Sequence, residues 1–304
     1  MRVFVTGGTG ALGVHTVPAL VGVGHSVTAL ARSDEKAAEL VAAGATPARI
    51  SLFDRDALTS ALDGYDAVVN LATAIPPMSK FASRRAMRAN EYVRTEGSAA
   101  VVDAALAAGV GRVVQESVVM FYTDQGAEWI TESSPVDRFP LARSNFAAEA
   151  NAARFGDGGG AAVVLRFGVF YGPGARHSEQ MLALARRGIG MTLGRPDSYM
   201  SSIHVADAGR AVAAALEVAP GTYNVVDDEP LTTRDYSDAL ARAAGRGLWI
   251  RGPGRAAGLL GDRLTSLTRS LRVSNTRFRD ATEWVPRHPS AREGWLATAE
   301  ILPG

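Results

Sequence analysis

The chain of 304 residues contains no cysteine, which removes disulfides, thiolate nucleophiles and sulfur-ligated metals from the functions open to it. That absence fits a reducing compartment. Lysine is almost missing as well: only Lys36 and Lys80 occur, so nearly all the positive charge is arginine. An excess of either sign is lacking too, since 32 basic side chains meet 31 acidic ones. The balance gives no stripe for nucleic acid and no patch for an anionic membrane, and leaves small-molecule chemistry as the expectation. No apolar run reaches the roughly 18 residues that a membrane span needs. No secretory leader is expected either, because residues 2–5 enter a strand at once, and a cytoplasmic location follows as the expectation. With a hydrophobic fraction of 47%, the chain can form one large domain or two closely joined ones.

Glycine, by contrast, is abundant, and three of the 32 stand where chemistry needs them. The apolar run Arg2-Val3-Phe4-Val5 leads into Thr6-Gly7-Gly8-Thr9-Gly10-Ala11-Leu12-Gly13, and an amphipathic stretch follows through Leu20. This strand, turn and helix context separates a dinucleotide-binding loop from a chance run of glycines. Gly7 permits a backbone angle closed to other residues, Gly10 lets the chain approach a phosphate, and Gly13 lets helix pack on strand. Unpaired N–H groups and the positive end of the helix then hold the pyrophosphate.

Short β-branched runs alternate with alanine-rich helical ones through the first half. Strands are expected at 3–5, 26–30, 49–52, 67–71, 112–117 and 161–167, and helices near 34–43, 84–108 and 144–155. The alternation predicts an α/β fold, a doubly wound parallel sheet covered by helices on both faces. The second half is less regular, with strands expected at 201–205 and 222–226 and helices near 207–218, 233–244 and 256–272. Pro/Gly-rich joints between them are natural places for substrate loops.

Further motifs follow the glycine loop in a fixed order: residues 66–72, Ala108-Gly109-Val110, Arg166-Phe167-Gly168-Val169-Phe170-Tyr171-Gly172-Pro173, Ile203-His204-Val205-Ala206-Asp207, Gly221-Thr222-Tyr223-Asn224-Val225 and Trp284-Val285-Pro286. Over nearly its whole length the chain resembles extended short-chain dehydrogenases/reductases, the NAD-dependent epimerase/dehydratase family. The resemblance implies a Rossmann domain at 1–168 that binds NAD or NADP. It also implies a smaller C-terminal α/β substrate part at 169–304, with 201–226 returning to the Rossmann sheet, and a homodimer formed through the helices near 84–108 and 144–155. Asp54 matches the family position that bonds the adenine amino group, and it also suits the N-cap of the helix opening at Arg55. Asn70-Leu71-Ala72-Thr73 would pass beside the ribose.

Charge decides the cofactor. The second strand ends Ala31-Arg32-Ser33, where an NAD-preferring site usually places a carboxylate for the ribose 2′-OH. Arg32, helped by Ser33 and Lys36, suits a 2′-phosphate instead, so NADP is expected over NAD.

The resemblance breaks at the chemistry. Family members exchange a proton through a tyrosine hydroxyl whose pKa a lysine lowers, the pair reading Y-x-x-x-K on one helix face. The matching positions here are Leu141 and Asn145, and neither lysine has a tyrosine four residues before it. The family's serine position falls on Val118, with Ser117 one place earlier. If the protein is an enzyme it needs another acid or base, and Glu116 is the first candidate, a carboxylate at the mouth of an interior strand. An ion pair with Arg94 or Arg143 is the alternative role for Glu116. Ser117, Tyr122 and Tyr171 complete the catalytic candidates. Met120, Phe170, Arg176 and His177 are the candidates for holding substrate, with Met78, Phe81, Phe121 and Met181 adding apolar walls. His204 reads as structural, and the five histidines show no metal-ligand spacing, so no metal is expected.

The leading expectation is an NADP(H)-dependent oxidoreductase or epimerase-like enzyme acting on a small carbonyl or hydroxyl compound with a noncanonical proton donor. Loss of the tyrosine and lysine also suits a protein that senses the dinucleotide without turning it over, or a non-redox lyase, isomerase or cyclase.

Overall fold

Runs of valine and alanine, buried on both faces, build a seven-stranded sheet in which every neighbouring pair is parallel. The computed structural model describes residues 1–77, 83–247, 250–254 and 268–302. In chain order the first part holds β1 (Arg2–Thr6), α1 (Gly13–Gly22), β2 (Ser26–Leu30), α2 (Asp34–Ala42), β3 (Thr46–Ala48), α3 (Arg55–Ala61), β4 (Ala67–Asn70), α4 (Arg84–Tyr92) and α5 (Ser98–Ala107). Next come β5 (Arg112–Val118), β6 (Trp129–Ile130), α6 (Arg143–Asp157), β7 (Ala161–Phe167), β8 (Val169–Tyr171), α7 (Arg176–Arg186), β9 (Ile189–Leu193), β10 (Tyr199–Met200), β11 (Ser202–His204) and α8 (Val205–Ala214). The last part holds β12 (Gly221–Val225), β13 (Leu231–Thr232), α9 (Thr233–Ala243), β14 (Ile250–Gly254), β15 (Arg272–Val273), α10 (Thr276–Ala281) and α11 (Ala291–Ile301).

Across the sheet the strands run β12-β7-β5-β4-β1-β2-β3. The chain walks outward from β1 to β3, then crosses back to β4. The crevice at the carboxyl ends of β1 and β4 is therefore the topological switch point where such sheets bind ligands. One face of the sheet buries Val3, Val5, Ala29, Val69 and Leu165 against Val17 and Leu20 of α1 and Ala208, Ala211 and Val212 of α8. The other buries Phe4, Val68 and Val113 against Leu58 of α3, Val101 and Ala105 of α5 and Phe155 of α6. Tyr171, Leu182, Tyr236, Leu240 and Trp295 form a separate core for the C-terminal lobe.

Four expectations need adjusting. The third strand is Thr46–Ala48 rather than 49–52; it pairs with β2 through Ala29↔Pro47, at an edge where a proline costs no ladder bond, while Ile50 and Leu52 pack from the following loop. The helix expected over 84–108 runs unbroken from Arg84 to Ala107 but is not a regular α-helix, because Val93–Gly97 between α4 and α5 forms a π turn. Of the segment expected to rejoin the sheet, Gly221–Val225 enters beside β7, but Ser202–His204 pairs with β8 outside it. The helix expected over 256–272 falls mostly outside the described residues, and its last positions, Arg272–Val273, are a strand paired with β6. Met78, Lys80 and Phe81 also lie outside the described residues. Among the described residues no helix is long and apolar enough to cross a membrane.

Candidate active site

The loop from Thr6 to Gly13 has clearances that only glycine satisfies. Gly7 has φ +73°, and a Cβ there would stand 2.5 Å from the Leu71 carbonyl oxygen. A Cβ on Gly13 would stand 2.2 Å from the Gly7 oxygen, so helix and strand meet at van der Waals limits. Gly8 is buried, Thr9 is half-buried, and Gly10 and Ala11 are exposed at the tip, while Leu12 anchors the turn in the core. The Gly10 N–H bonds the Gly7 oxygen at 2.9 Å, whereas the amides of Ala11, Leu12 and Gly13 find no backbone acceptor among the described residues. Free donors at a helix start, reached by a chain stripped of side chains, fit a dinucleotide pyrophosphate.

Around the cradle, Arg32 stands exposed just after β2, with no partner among the described residues. Its expected helpers are engaged: Ser33 caps α2 by accepting the Lys36 N–H at 3.2 Å, and the Lys36 ammonium pairs with Glu39 at 2.6 Å. Asp54 caps α3 through Oδ1, which accepts the Ala57 N–H at 3.0 Å. Asn70 is buried, accepts from Thr6 and donates Nδ2 to Gln115 at 2.8 Å, which brackets the ends of β1 and β5. The Leu71 backbone is left to close on Gly7, with Ala72 half-buried and Thr73 exposed beyond it.

All four catalytic candidates are buried and held by protein partners. Glu116 is 4% exposed and lies 2.8 Å from Arg94, itself 3% exposed, in a buried ion pair supplied by the π turn. Ser117 is fully buried and donates to Glu149 at 2.7 Å. Tyr122 is also fully buried; its hydroxyl donates to Asn224 and accepts from Arg166, each at 2.9 Å, and burial pushes its pKa up. Burial raises Tyr171 further, and its hydroxyl donates to the Ser290 carbonyl at 3.1 Å. Desolvation explains all four pairings: a buried polar group is stable only when the protein supplies its partner.

Of the substrate candidates, Met120 and Phe170 are half-buried, and Phe170 packs on Phe167 with ring centroids 5.3 Å apart. Arg176 is exposed at the start of α7. His177 is tied to the Phe170 carbonyl, and burial lowers its pKa. Leu141 is half-buried just before α6, and Asn145, 6% exposed, has no hydrogen-bond partner among the described residues.

Sequence inspection missed the network that occupies the space behind the lost tyrosine and lysine. Glu149 lies one helical turn beyond Asn145 and accepts from Ser117 and from Arg166 at 2.9 and 2.7 Å. Its place four residues after Asn145, on the same helix face, was the available signal.

His204, Asp207 and His288 offer ligand atoms within 4.8 Å of one another. The Asp207 oxygens, however, already accept from the Arg210 guanidinium, the Arg287 and His288 N–H groups and the His288 ring. Burial pushes the Asp207 carboxyl up, but these donors outweigh it and hold the group well below the usual carboxylate range. The trio is a clasp that pins the C-terminal segment to α8. Burial, then the facing His288 ring 4.0 Å away, lowers the His204 pKa to about 4. The folded value lies below the ordinary 6.5, so the folded state binds fewer protons in that window. Stability is thus full above about pH 6.5 and falls by about 3 kcal/mol as pH drops to about 4. His204→Asn, which keeps an N-cap acceptor for α8, should flatten that slope in urea unfolding, and an unchanged slope would assign it to another group.

Residues 3–225 match the family model described as NAD dependent epimerase/dehydratase family. The chain belongs to this family. It is 35% identical to a Streptomyces 3-diazoavenalumate denitrifying reductase over 97% of this chain and 99% of that relative. It is 30% identical to the 4-hydroxy-2-methyl-3-oxo-4-farnesyl-3,4-dihydroquinoline-1-oxide ketoreductase of Stigmatella aurantiaca, over 81% of this chain and 74% of that one. Human epimerase family protein SDR39U1, solved with NADPH, matches at TM-score 0.82 and 25% identity over 99% of each chain. Thermus thermophilus UDP-glucose 4-epimerase, solved with NAD, matches at TM-score 0.78 over 99% of this chain and 98% of that chain; at 24% identity it shows the fold alone. The protein is accordingly an NAD(P)-dependent enzyme of oxidoreductase/epimerase type.

Within this epimerase/dehydratase frame, Glu116→Gln distinguishes a buried ion pair from a catalytic acid. It should lower unfolding stability by about 3 kcal/mol, because Arg94 loses its counter-charge. Turnover per folded molecule should be unchanged.

Proposed function

We propose that the enzyme is an NADPH-dependent reductase whose acceptor is already electron-poor and takes hydride without a proton from the protein. One observation carries this reading: the family's tyrosine and lysine positions hold Leu141 and Asn145, and Glu116, Ser117, Tyr122 and Tyr171 are all buried on protein partners. When bound, the reduced nicotinamide supplies a hydride. A carbonyl acceptor would become an alkoxide and need a proton, which no candidate side chain is placed to give. An aryl diazonium acceptor needs none from the protein: its terminal nitrogen takes the hydride to give an aryldiazene, which releases its N–H proton to water as the carbon–nitrogen bond breaks and dinitrogen leaves, and the ring carbon takes a proton back from water. The 35% identity to a denitrifying reductase of a diazo compound supports this substrate class.

The chain's own part is to bind, orient and exclude water. The glycine cradle holds the pyrophosphate, and half-buried Met120 and Phe170 are the apolar side chains this reading assigns to the substrate. Unpartnered Arg32 supports NADP over NAD, as does the NADPH in the structure of human SDR39U1. Arg32→Ser should weaken NADPH binding by about 30-fold and leave NADH binding unchanged in a calorimetric titration. Equal losses for both would place Arg32 away from the 2′-phosphate. The same reading keeps the enzyme in the cytoplasm as a homodimer paired through α4, α5 and α6, and sedimentation as a monomer would remove the pairing.

The deciding experiment mixes the purified enzyme and NADPH with a panel of aryl diazonium salts, aldehydes, ketones and enones. The expected result is one dinitrogen and one arene per NADPH consumed with a diazonium salt, above the protein-free rate, and slower or no oxidation with carbonyls. Tight NADPH binding without oxidation by any member would overturn the proposal and leave a dinucleotide sensor.

A further inference from the structure

Two large aromatic side chains stand in the open on the cofactor edge of the sheet, where no core accounts for them. Phe53 is 40% exposed and Tyr92 53% exposed, with ring centroids 4.7 Å apart and planes inclined by 38°. Phe53 belongs to the loop between β3 and α3, next to Asp54, and Tyr92 is the last residue of α4. They meet because the π turn at Val93–Gly97 brings glycine against that loop: a Cβ on Gly97 would stand 2.8 Å from Leu52 Cδ2 and 3.6 Å from Phe53 Cε1. π turns concentrate at functional sites; this one both carries Arg94 to Glu116 and sets Gly97 against the loop.

Topology says what the pair faces. β1, β2, β3 and β4 are parallel, so the glycine cradle after β1, Arg32 after β2, Phe53 and Asp54 after β3 and residues 71–73 after β4 all leave on one edge. A dinucleotide whose pyrophosphate rests on the β1 loop and whose 2′-phosphate reaches Arg32 directs its base toward the β3 side. Asp54 uses only Oδ1 for its cap and keeps the other oxygen for an amino group. A flat heteroaromatic ring has matching chemistry, a face for the rings and a donor for the carboxylate.

We propose that Phe53 and Tyr92 form an aromatic platform on which the adenine of the cofactor stacks, an inference that rests on the NADPH reading above. The platform gives a use to two exposed aromatics whose rings already touch. It gives the enzyme affinity from the adenosine end, far from the hydride.

Calorimetric titration with three ligands tests it: NADPH, 2′,5′-ADP, which carries the base and 2′-phosphate, and reduced nicotinamide mononucleotide, which lacks them. Phe53→Ala should weaken NADPH and 2′,5′-ADP by about 10-fold, leave the mononucleotide unchanged, and be rescued by Phe53→Trp. Tyr92→Leu, on an exposed helix end, should weaken the same two ligands and serves if Phe53→Ala fails to fold. Unchanged 2′,5′-ADP affinity in both variants overturns the platform while wild-type binding keeps the cofactor reading intact. Unchanged affinity with an altered sedimentation coefficient assigns the aromatics to a second copy of the chain and overturns it equally. Wild-type protein that binds neither adenine-bearing ligand overturns the cofactor reading, and the platform with it.

Discussion

Gly13→Ala is expected to lower unfolding stability by about 3 kcal/mol and to remove measurable NADPH binding. The added Cβ would stand 2.2 Å from the Gly7 oxygen, 2.5 Å from the Gly8 carbonyl carbon and 2.6 Å from Gly8 Cα. All three are backbone atoms, so no rotamer change relieves the overlap. The relief is a shift of α1 away from β1, which opens the turn and disperses the N–H groups that face the phosphates. Gly22→Ala is the control in the same helix: nothing lies within 4 Å of its Cβ, and helix propensity makes it neutral or stabilising by up to about 1 kcal/mol. Urea unfolding and NADPH titration of the two variants should therefore diverge sharply. Equal behaviour would mean that Gly13 tolerates a side chain and that the cradle is not set by close packing.

Arg166→Met should be the most damaging substitution away from the cradle. Arg166 is 8% exposed and joins Glu149 to Tyr122, and its guanidinium also lies over the Phe121 ring at 4.8 Å. Burial alone would lower its pKa, but Glu149 and then Tyr122 outweigh that, so it stays charged. Methionine there would leave Glu149 half-buried and facing only Ser117, at a cost of about 3 kcal/mol. Removing both charges with Arg166→Met and Glu149→Leu should cost less than the single change, because no uncompensated carboxylate remains. A double variant less stable than Arg166→Met would show that the pair contributes more than mutual neutralisation.

The glycine cradle was legible because it rests on contiguous residues whose steric requirement is local. The absent proton relay was legible too: with only Lys36 and Lys80 in the chain, two inspections exclude every Y-x-x-x-K. Partner choice across the fold was not. Glu116 was open between acid and ion pair until the π turn put Arg94 beside it, and an extra residue in a helical turn leaves no periodic mark in sequence. Tyr122 and Asn224 are 102 residues apart, and their contact exists only because β12 returns beside β7. The misplaced third strand has a similar origin. Ile50 and Leu52 carry the apolar signal of a strand, but they reach the core from a loop while Pro47 sits in the ladder.

The central claim is hydride delivery without a protein proton donor, and the pH dependence of kcat for reduction of an aryl diazonium salt by NADPH tests it most directly. The account predicts a value independent of pH from about 6 to 8, in the wild type and in Glu116→Gln alike. A limb in that range that Glu116→Gln abolishes would restore a side-chain acid to the mechanism and contradict the account.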